Sequence, residues 1–377
     1  MQRGRPVSPA ADRGRVGALD AIRGLGATAI VAFHVMGIGD VPLPDSLGFV
    51  RSHLGMGVTI FFVLSAFSLF RTNDQRRHTE PSFVQRFFVR RVARLCPLFY
   101  AMIAFWVVAR WLEFGETTPV GDVILTACFA FNPFPGSHES IVWAGWTLGV
   151  EAIFYALLPL VFRWVLRPRD AMLLAAATLV VSHFSHRIMT ASGDLPVTFV
   201  YMSFLTHAPV FAVGICSYYG YLRVRDLAPG TLRWLSWAVL AWVPALYWAI
   251  PWLGLEPSRP VSFALWSAVF GAITAVHACR TNLLVTNPVT VFLGRTSYSV
   301  YLLHPFLVYK LQPLYRAVEK SLAGQETLAF VICFLLTMAV VSPLAELSYR
   351  FIERPGIDLG RRWLARPAPV GANTSAT

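Results

Sequence analysis

The sequence has little charge. Only 14% of its 377 residues are Asp, Glu, Lys or Arg, whereas soluble domains carry roughly 25%. Hydrophobic residues make up 56% of the chain, and the mean hydropathy is +0.56. This balance excludes an ordinary soluble domain and indicates a protein that crosses a membrane several times.

Lysine and paired cysteines are also scarce. Lys310 and Lys320 are the only lysines, so arginine supplies almost all of the positive charge. The cysteines lie mostly inside apolar runs, form no CxxC pair and are Cys96, Cys128, Cys216, Cys279 and Cys333. This excludes a disulfide framework and a cysteine-based zinc site. His183 and His186 have no cysteine or carboxylate beside them, so we predict no metal site.

Apolar runs of membrane-spanning length follow one another along the whole chain. They are 18–37, 55–70, 95–112, 145–166, 171–190, 198–222, 233–253, 261–279, 288–309 and 326–349. A further run, 120–135, is interrupted by Asn132 and Pro133, so we expect a short interfacial or re-entrant segment. The pattern predicts an all-α polytopic bundle of about ten transmembrane helices.

Arginine clusters predict the orientation of the bundle, because positive loops stay on the cytoplasmic side. They place both termini of a multi-pass cell-membrane protein in the cytoplasm. The net charge of +12 then reflects topology rather than nucleic-acid binding. We predict a cytoplasmic arm at 1–17 with no cleaved signal, a membrane domain at 18–355, and a partly disordered cytoplasmic tail at 356–377.

Arg23 and His34 are ionisable residues in the first apolar run. They are eleven residues apart, which puts both on one helix face, ~16 Å apart along its axis. Ionisable groups inside a membrane are costly and mark functional sites by default. Both could instead contact only polar groups of neighbouring helices. Arg23 and His34 are therefore the first candidates for a functional site.

Arg90, Arg91 and Arg94 are spaced so that they can converge on one patch at the start of the third apolar run. Arginine forks suit phosphate oxygens. A phosphorylated ligand and anionic lipid headgroups therefore both remain possible partners for this cluster.

Two later runs carry further polar residues. Glu151 and Tyr155 share a helix face, with Trp146 one turn before them. Glu151 could orient an imidazole, position a hydroxyl or pair with an arginine. In the ninth run, a polar stripe with spacing i, i+4, i+7 must face protein or water rather than lipid, and its members are Ser297, Tyr301 and His304. His304 could be a second base, an orienting group or an interhelical hydrogen-bond partner.

Taken in order, six motifs spanning residues 19 to 355 resemble the family-3 membrane acyltransferases. They are Arg23-x10-His34, Gly57-Val58-x-x-Phe61-Phe62-Val63-Leu64-Ser65, Arg90-Arg91-x-x-Arg94, Trp146-Thr147-Leu148-x-Val150-Glu151, Ser297-Tyr298-Ser299-x-Tyr301-Leu302-x-His304 and Tyr349-Arg350-Phe351-Ile352-Glu353-Arg354-Pro355. The resemblance implies a ten-helix bundle that transfers an acyl group, often acetyl, from a cytoplasmic donor. It implies acceptors among surface glycans, lipid-linked intermediates and glycosylated natural products.

The expected function is O-acylation of a sugar hydroxyl, with acyl-CoA as co-substrate and no permanently bound cofactor. Arg90, Arg91 and Arg94 would hold the donor, and Trp146, Tyr155, Ser297, Tyr301 and His304 would contact substrate. With this reaction, His34 is the candidate catalytic base, because histidine suits proton removal from a hydroxyl. Arg23 and Glu151 are the other catalytic candidates. Thr59, Ala66 and Ala152 depart from residues common in relatives, and we expect the first two beside the site. The alternative is a flippase or transporter of a lipid-linked saccharide, whose polar residues would line a pathway.

Overall fold

The structure, a computed structural model, describes residues 9–256 and 259–365, with side chains described from Gly17 onward. All regular elements in these ranges are helical. They are α1 (Pro9–Gly37), α2 (Gly48–His53), α3 (Gly57–Asn73), α4 (Arg76–Thr79), α5 (Phe83–Phe114), α6 (Val120–Ala127), α7 (Trp146–Trp164), α8 (Pro168–Ala191), α9 (Val197–Met202), α10 (Phe204–Val224), α11 (Pro229–Trp252), α12 (Pro260–His277), α13 (Pro288–Arg295), α14 (Ser297–Ser321), α15 (Glu326–Ser348) and α16 (Arg354–Ala365). A π-helical turn, Tyr349–Glu353, joins the last two.

Nine helical segments within the described ranges are long and apolar enough to cross a membrane. They coincide with nine of the ten predicted runs, which confirms the all-α polytopic bundle. The exception is 288–309, whose prediction as one helix is wrong, because the chain turns at Thr296 between α13 and α14. Helix α14 has 25 residues and is about 37 Å long. It is not among the nine candidate membrane-spanning segments because it carries too many polar residues.

The helix break before α14 accompanies a close approach of α13 to α1. A Cβ on Gly24 would overlap the carbonyl of Thr290, and a Cβ on Gly294 would overlap the backbone of Asp20. Small residues permit this approach between helices. Thr296 then ends α13 by donating its backbone N–H to Phe292, and α14 continues beside α1.

Close packing at glycines also places α3 at the centre of the bundle. A Cβ on Gly57 would lie 2.6 Å from the carbonyl of Gly26 in α1, and a Cβ on Gly214 in α10 would lie 2.7 Å from the carbonyl of Val63. By contrast, only 6% of the apolar window of α8 is buried, against 67% for α3. Helix α3 is therefore an inner helix of the bundle and α8 a peripheral one.

Two boundaries differ from the sequence predictions, whereas the prediction that 120–135 does not span agrees with the structure. The first helix begins at Pro9 rather than 18. The predicted short segment 120–135 contains only the eight-residue α6, about 12 Å long and too short to span. Part of the predicted tail forms α16, which packs on α5 through Gly356 and Gly360. Residues 1–8 of the arm and 366–377 of the tail lie outside the described residues.

Candidate active site

Helix α1 contributes to two separate cavities. Arg23 lines the first and His34 lines the second, although both belong to one continuous helix. The two residues thus belong to one helix, as predicted from their spacing, but each side chain contacts different residues. We call the cavities the arginine chamber and the histidine chamber.

The arginine chamber has a volume of about 290 Å³. Its polar wall is formed by Asp20, Arg23, Ser65, Ser68, Arg71, Arg91, Arg94, Glu151, Tyr155, Ser297, Tyr298 and Tyr301. Arg23 donates to Asp20 Oδ1 at 2.8 Å and to Ser68 Oγ at 3.1 Å. These two bonds hold the guanidinium at the cavity wall.

Glu151 lies in this chamber and not beside His34. Its carboxylate is within hydrogen-bonding reach of Tyr155 and Ser65, whose hydroxyls are 3.1 Å apart. Arg91 and Arg94 act on it electrostatically. Glu151 is therefore not placed to orient the imidazole of His34. Its surroundings fit the other two roles considered for it, which are positioning a hydroxyl and pairing with an arginine.

Arg90 is separated from the other two arginines of its cluster. Its guanidinium forms a fork with both carboxylate oxygens of Glu80, at 2.8 Å each, and Arg86 donates to the same carboxylate at 2.9 Å. The hydrogen bond from Arg90, supported by Arg86, lowers the pKa of Glu80 to about 2. Arg90 therefore ties the α4–α5 connection to α5 and does not line the chamber that Arg91 and Arg94 share.

The histidine chamber has a volume of about 410 Å³. Its wall combines α1, the end of α5, α6, the segment 128–145 and the start of α7, through His34, Ile38, Arg110, Asp122, Thr126, Ser137, Glu139, Trp143 and Trp146. Ser137 donates to Asp122 Oδ1 at 2.7 Å. Trp146 is the one predicted substrate-contacting residue on this wall.

His34 and His304 form a hydrogen-bonded pair behind the histidine chamber. Nδ1 of His34 lies 2.8 Å from Nε2 of His304, and Nδ1 of His304 lies 3.0 Å from the carbonyl of Val300. A carbonyl only accepts, so neutral His304 carries its proton on Nδ1 and its Nε2 must accept. His34 consequently donates from Nδ1, so its Nε2 carries the lone pair of the ring.

This chain of bonds bears on the three roles considered for His304. Its side chain is fully buried and lines neither chamber, so it is not positioned to contact substrate. Its contact with His34 is an interhelical hydrogen bond, and this is the geometry by which a buried group can orient an imidazole. The predicted stripe is confirmed as facing protein, because Ser297, Tyr301 and His304 are all buried.

A short partition separates the two chambers. Thr147 donates to the hydroxyl of Tyr301 at 3.1 Å, and both residues line the arginine chamber. The neighbouring Trp146 lines the histidine chamber, and the Tyr301 ring lies 5.8 Å from the ring of His304. The partition thus lies between the arginines and the histidine pair.

Thr59 and Ala66 differ from the residues common in relatives and were expected beside the site. Neither residue lines a chamber. Thr59 is buried and donates to the sulfur of Met56 at 3.8 Å. Ala66 lies against Gly214 at the α3–α10 contact. Both positions therefore contribute to helix packing, and Ala66 directly follows Ser65 of the arginine chamber.

Sequence reasoning missed several residues of the walls. Asp20 could have been found, since its i, i+3 spacing to Arg23 is typical of a helical ion pair. Arg110, Asp122 and Glu139 had no such signal. They come from a helix end, a short helix and an irregular segment, which only the tertiary structure brings together.

The chambers differ in charge. The wall of the arginine chamber carries four arginines and two carboxylates, whereas that of the histidine chamber carries one arginine and two carboxylates. The first suits an anion, and the second does not.

Residues 16–346 match the family model described as acyltransferase domain. The chain is 26% identical over 376 residues to nodulation protein 10 of Rhizobium leguminosarum bv. viciae, covering 90% of this chain and 92% of that protein. It is 24% identical over 377 residues to the peptidoglycan O-acetyltransferase OatA of Listeria monocytogenes, covering 90% of this chain but 55% of the relative. The chain thus spans about half the length of that relative.

No solved structure matches the chain. The family match nevertheless runs from α1 into α15, through every helix that contributes to the two chambers. The predicted enzyme class agrees with it, and the chain belongs to the family-3 membrane acyltransferases.

Proposed function

We propose that the protein transfers an acyl group, expected to be acetyl, from acyl-CoA to a sugar hydroxyl. The acceptor would be a surface glycan, a lipid-linked intermediate or a glycosylated natural product. The observation that carries this proposal is the His34–His304 pair, which leaves a basic nitrogen at a polar chamber beside a second, arginine-lined chamber. The name of the Listeria relative supports a glycan acceptor.

The donor would bind in the arginine chamber. Coenzyme A carries phosphates, and guanidinium groups recognise phosphate oxygens through paired hydrogen bonds. Arg91 and Arg94 are the candidates from the predicted cluster, and Arg23 joins them because it lines the same wall. Arg23 and His34 are eleven positions apart on one helix, about 16 Å along the axis, so we assign Arg23 to donor binding rather than to the reacting carbonyl.

His34 would act as the general base. Its Nε2 takes the proton of the acceptor hydroxyl as the oxygen attacks the thioester carbonyl. The new ester C–O bond forms, the C–S bond breaks, and the proton passes from His34 to the departing thiolate to give CoA-SH. While His34 is an imidazolium, its Nδ1–H still donates to His304, and this bond strengthens because the donor is then charged.

The acyl group has to pass the Thr147–Tyr301 partition to reach His34. We propose that the pantetheine end of the donor reaches this partition from the arginine chamber. The arginine distribution along the chain supports entry of the donor from the cytoplasm, with both termini on that side of the cell membrane. The acceptor would approach the histidine chamber from the opposite side.

Purified protein in lipid nanodiscs, supplied with acetyl-CoA and a glycoside, tests the proposal. His34→Ala should reduce acyl transfer by about 100-fold or more, the contribution expected of a general base. His183→Ala is the matched control, since that histidine is exposed on the peripheral helix α8. Retention of more than about a tenth of the activity by His34→Ala would contradict the base assignment. Movement of an unmodified lipid-linked sugar without release of CoA would instead indicate a flippase.

A further inference from the structure

The walls of the histidine chamber contain features that general-base chemistry does not require. Besides His34, the polar groups reaching the cavity include Arg110 from the end of α5, Asp122 from α6 and Glu139 from the segment 128–145. The base needs none of them, because His304 already orients it. Their convergence therefore calls for a separate function.

These groups can form hydrogen bonds to a polar ligand. Asp122 accepts one bond from Ser137 at 2.7 Å, but a carboxylate offers about four acceptor positions. The pairing of Arg110 with Glu116 involves only its Nε and is long, at 3.9 Å. A guanidinium has five N–H donors, so others remain for a ligand. The side chain of Glu139 is 56% exposed and can turn toward a ligand.

An aromatic surface lies beside these groups. Trp143 lines the chamber, and its ring packs against Trp106 with ring centres 4.6 Å apart. Trp146 lines the same wall and is buried at 7% exposure. Rigid aromatic walls with a few fixed polar groups are typical of small-molecule sites, and about 410 Å³ lies within the usual range of roughly 300–1,000 Å³.

The balance of charge narrows the class of ligand. Two carboxylates against one arginine make the wall unfavourable for an anion, in contrast to the arginine chamber. A carboxylate on the ligand would meet Asp122 and Glu139, and like charges brought together in this way oppose binding. Neutral hydroxyl groups would instead donate to these carboxylates and accept from Arg110.

We propose that the histidine chamber is a binding site for an uncharged glycosyl unit of the acceptor, held by Asp122, Glu139 and Arg110 against Trp143, and that it rejects acidic sugars. This inference rests on the proposed transfer reaction. It adds that selectivity between neutral and anionic sugars resides in α6 and the segment 128–145, away from the residues that bind the donor.

Matched pairs of methyl glycosides test this selectivity. Each neutral sugar, such as methyl glucoside or methyl galactoside, is compared with its uronic acid, with acetyl-CoA as donor and CoA release and ester formation as readouts. We expect kcat/KM to favour the neutral member by about tenfold or more, a size consistent with like-charge repulsion at a binding site. Added salt should narrow the preference, because it screens the wall charges.

Variants locate the selectivity. Asp122→Asn combined with Glu139→Gln should raise the KM of the neutral glycoside, narrow the preference severalfold and leave the KM of acetyl-CoA unchanged. Asp194→Asn, at an exposed loop position, is the matched control. The salt series on the wild-type protein gives an independent answer if the double variant does not reach the membrane.

Two failures are distinguishable. Absence of CoA release that depends on His34 would overturn the transfer reaction itself. Transfer that proceeds without a neutral preference in any pair, or with a preference that neither salt nor the double variant changes, would overturn the acceptor site and leave the transferase in place.

Discussion

The two chambers differ in how they are built. The arginine chamber is lined mostly by long helices, among them α1, α3, α5, α7 and α14, and four of its six charged residues fall in recognisable sequence motifs. The histidine chamber takes much of its wall from a helix end, the short α6 and an irregular segment. Long helices impose regular spacing, so their residues can be read from the sequence, whereas a loop wall depends on tertiary contacts.

The chambers also divide the proposed chemistry. One offers a net positive wall for an anionic donor, and the other offers a basic nitrogen and a net negative wall for a hydroxyl compound. The Thr147–Tyr301 contact keeps them apart. Each of the following predictions separates the two chambers by a kinetic or stability readout.

The largest effect should come from His304, which orients the base. His304→Ala removes the acceptor for His34 Nδ1, and kcat should fall by about tenfold to a hundredfold, part of the full contribution of a general base. The KM values of both substrates should stay unchanged. His304→Gln should recover part of the loss, since its amide oxygen can accept the same bond.

His277→Ala is the control for that variant, because His277 is an equally buried histidine bonded to the carbonyl of Ile273 in α12. It should leave kcat unchanged. A glutamine variant no better than alanine, with stability equal to wild type, would contradict the orienting role.

The second prediction concerns the donor and uses Arg90 as a control within the same cluster. Arg91→Gln and Arg94→Gln should each raise the KM of acetyl-CoA by about tenfold, the loss expected for a charge-assisted hydrogen bond. The KM of the acceptor should change little. Arg90→Gln removes the same charge from the same helix but lies outside the chamber, so it should leave the donor KM unchanged. Equal effects of all three variants on the donor KM would show that the cluster binds anionic lipid headgroups, or attracts the donor only through its total charge.

The third prediction concerns the partition. Tyr301→Phe removes the acceptor for Thr147, so water should reach the thioester more often. The ratio of acetyl-CoA hydrolysis to acyl transfer should then rise about twofold to fivefold, because one hydrogen bond contributes about 1 kcal/mol. Tyr315→Phe is a matched control, because Tyr315 forms a comparable buried bond with Thr337 at 2.6 Å outside both chambers. An unchanged ratio in Tyr301→Phe would mean that this contact does not separate the substrates.

The smallest effect should come from Glu80, which lies outside both chambers. Its pKa is lowered from 4.5 to about 2 in the folded protein by Arg90 and Arg86. A lowered folded-state pKa contributes stability above the ordinary value and loses it as the pH falls toward the folded value. Glu80→Gln should therefore lower Tm by about 2 °C at pH 7, with the difference from wild type shrinking below pH 4.5.

The donor KM of Glu80→Gln should match that of the wild-type protein. Asp226→Asn, which alters an exposed pair with Arg225, should change neither Tm nor its pH dependence. A rise in donor KM for Glu80→Gln would show that the α4–α5 connection is coupled to the arginine chamber.

Most of the fold followed from hydropathy, because a backbone in lipid must satisfy its own hydrogen bonds and so forms helices of predictable length. The sequence predictions failed at contacts between helices. The glycines that press α13 onto α1 came with a turn at Thr296, so one predicted helix became two. Glu151 lined the arginine chamber, while His304 reached His34, although both were plausible orienting groups from sequence.

The sequence by itself determined the class of protein, the candidate base and the arginines that suit a phosphorylated donor, since composition and helical spacing follow from the order of residues alone. Only the tertiary structure decided that Arg23 and His34 serve different chambers, that Arg90 binds Glu80, and that His304 determines the tautomer of His34. The physical reason is that spacing along one helix determines which face a side chain occupies, whereas its partner depends on which helices pack beside that face, at what depth, and through which glycines.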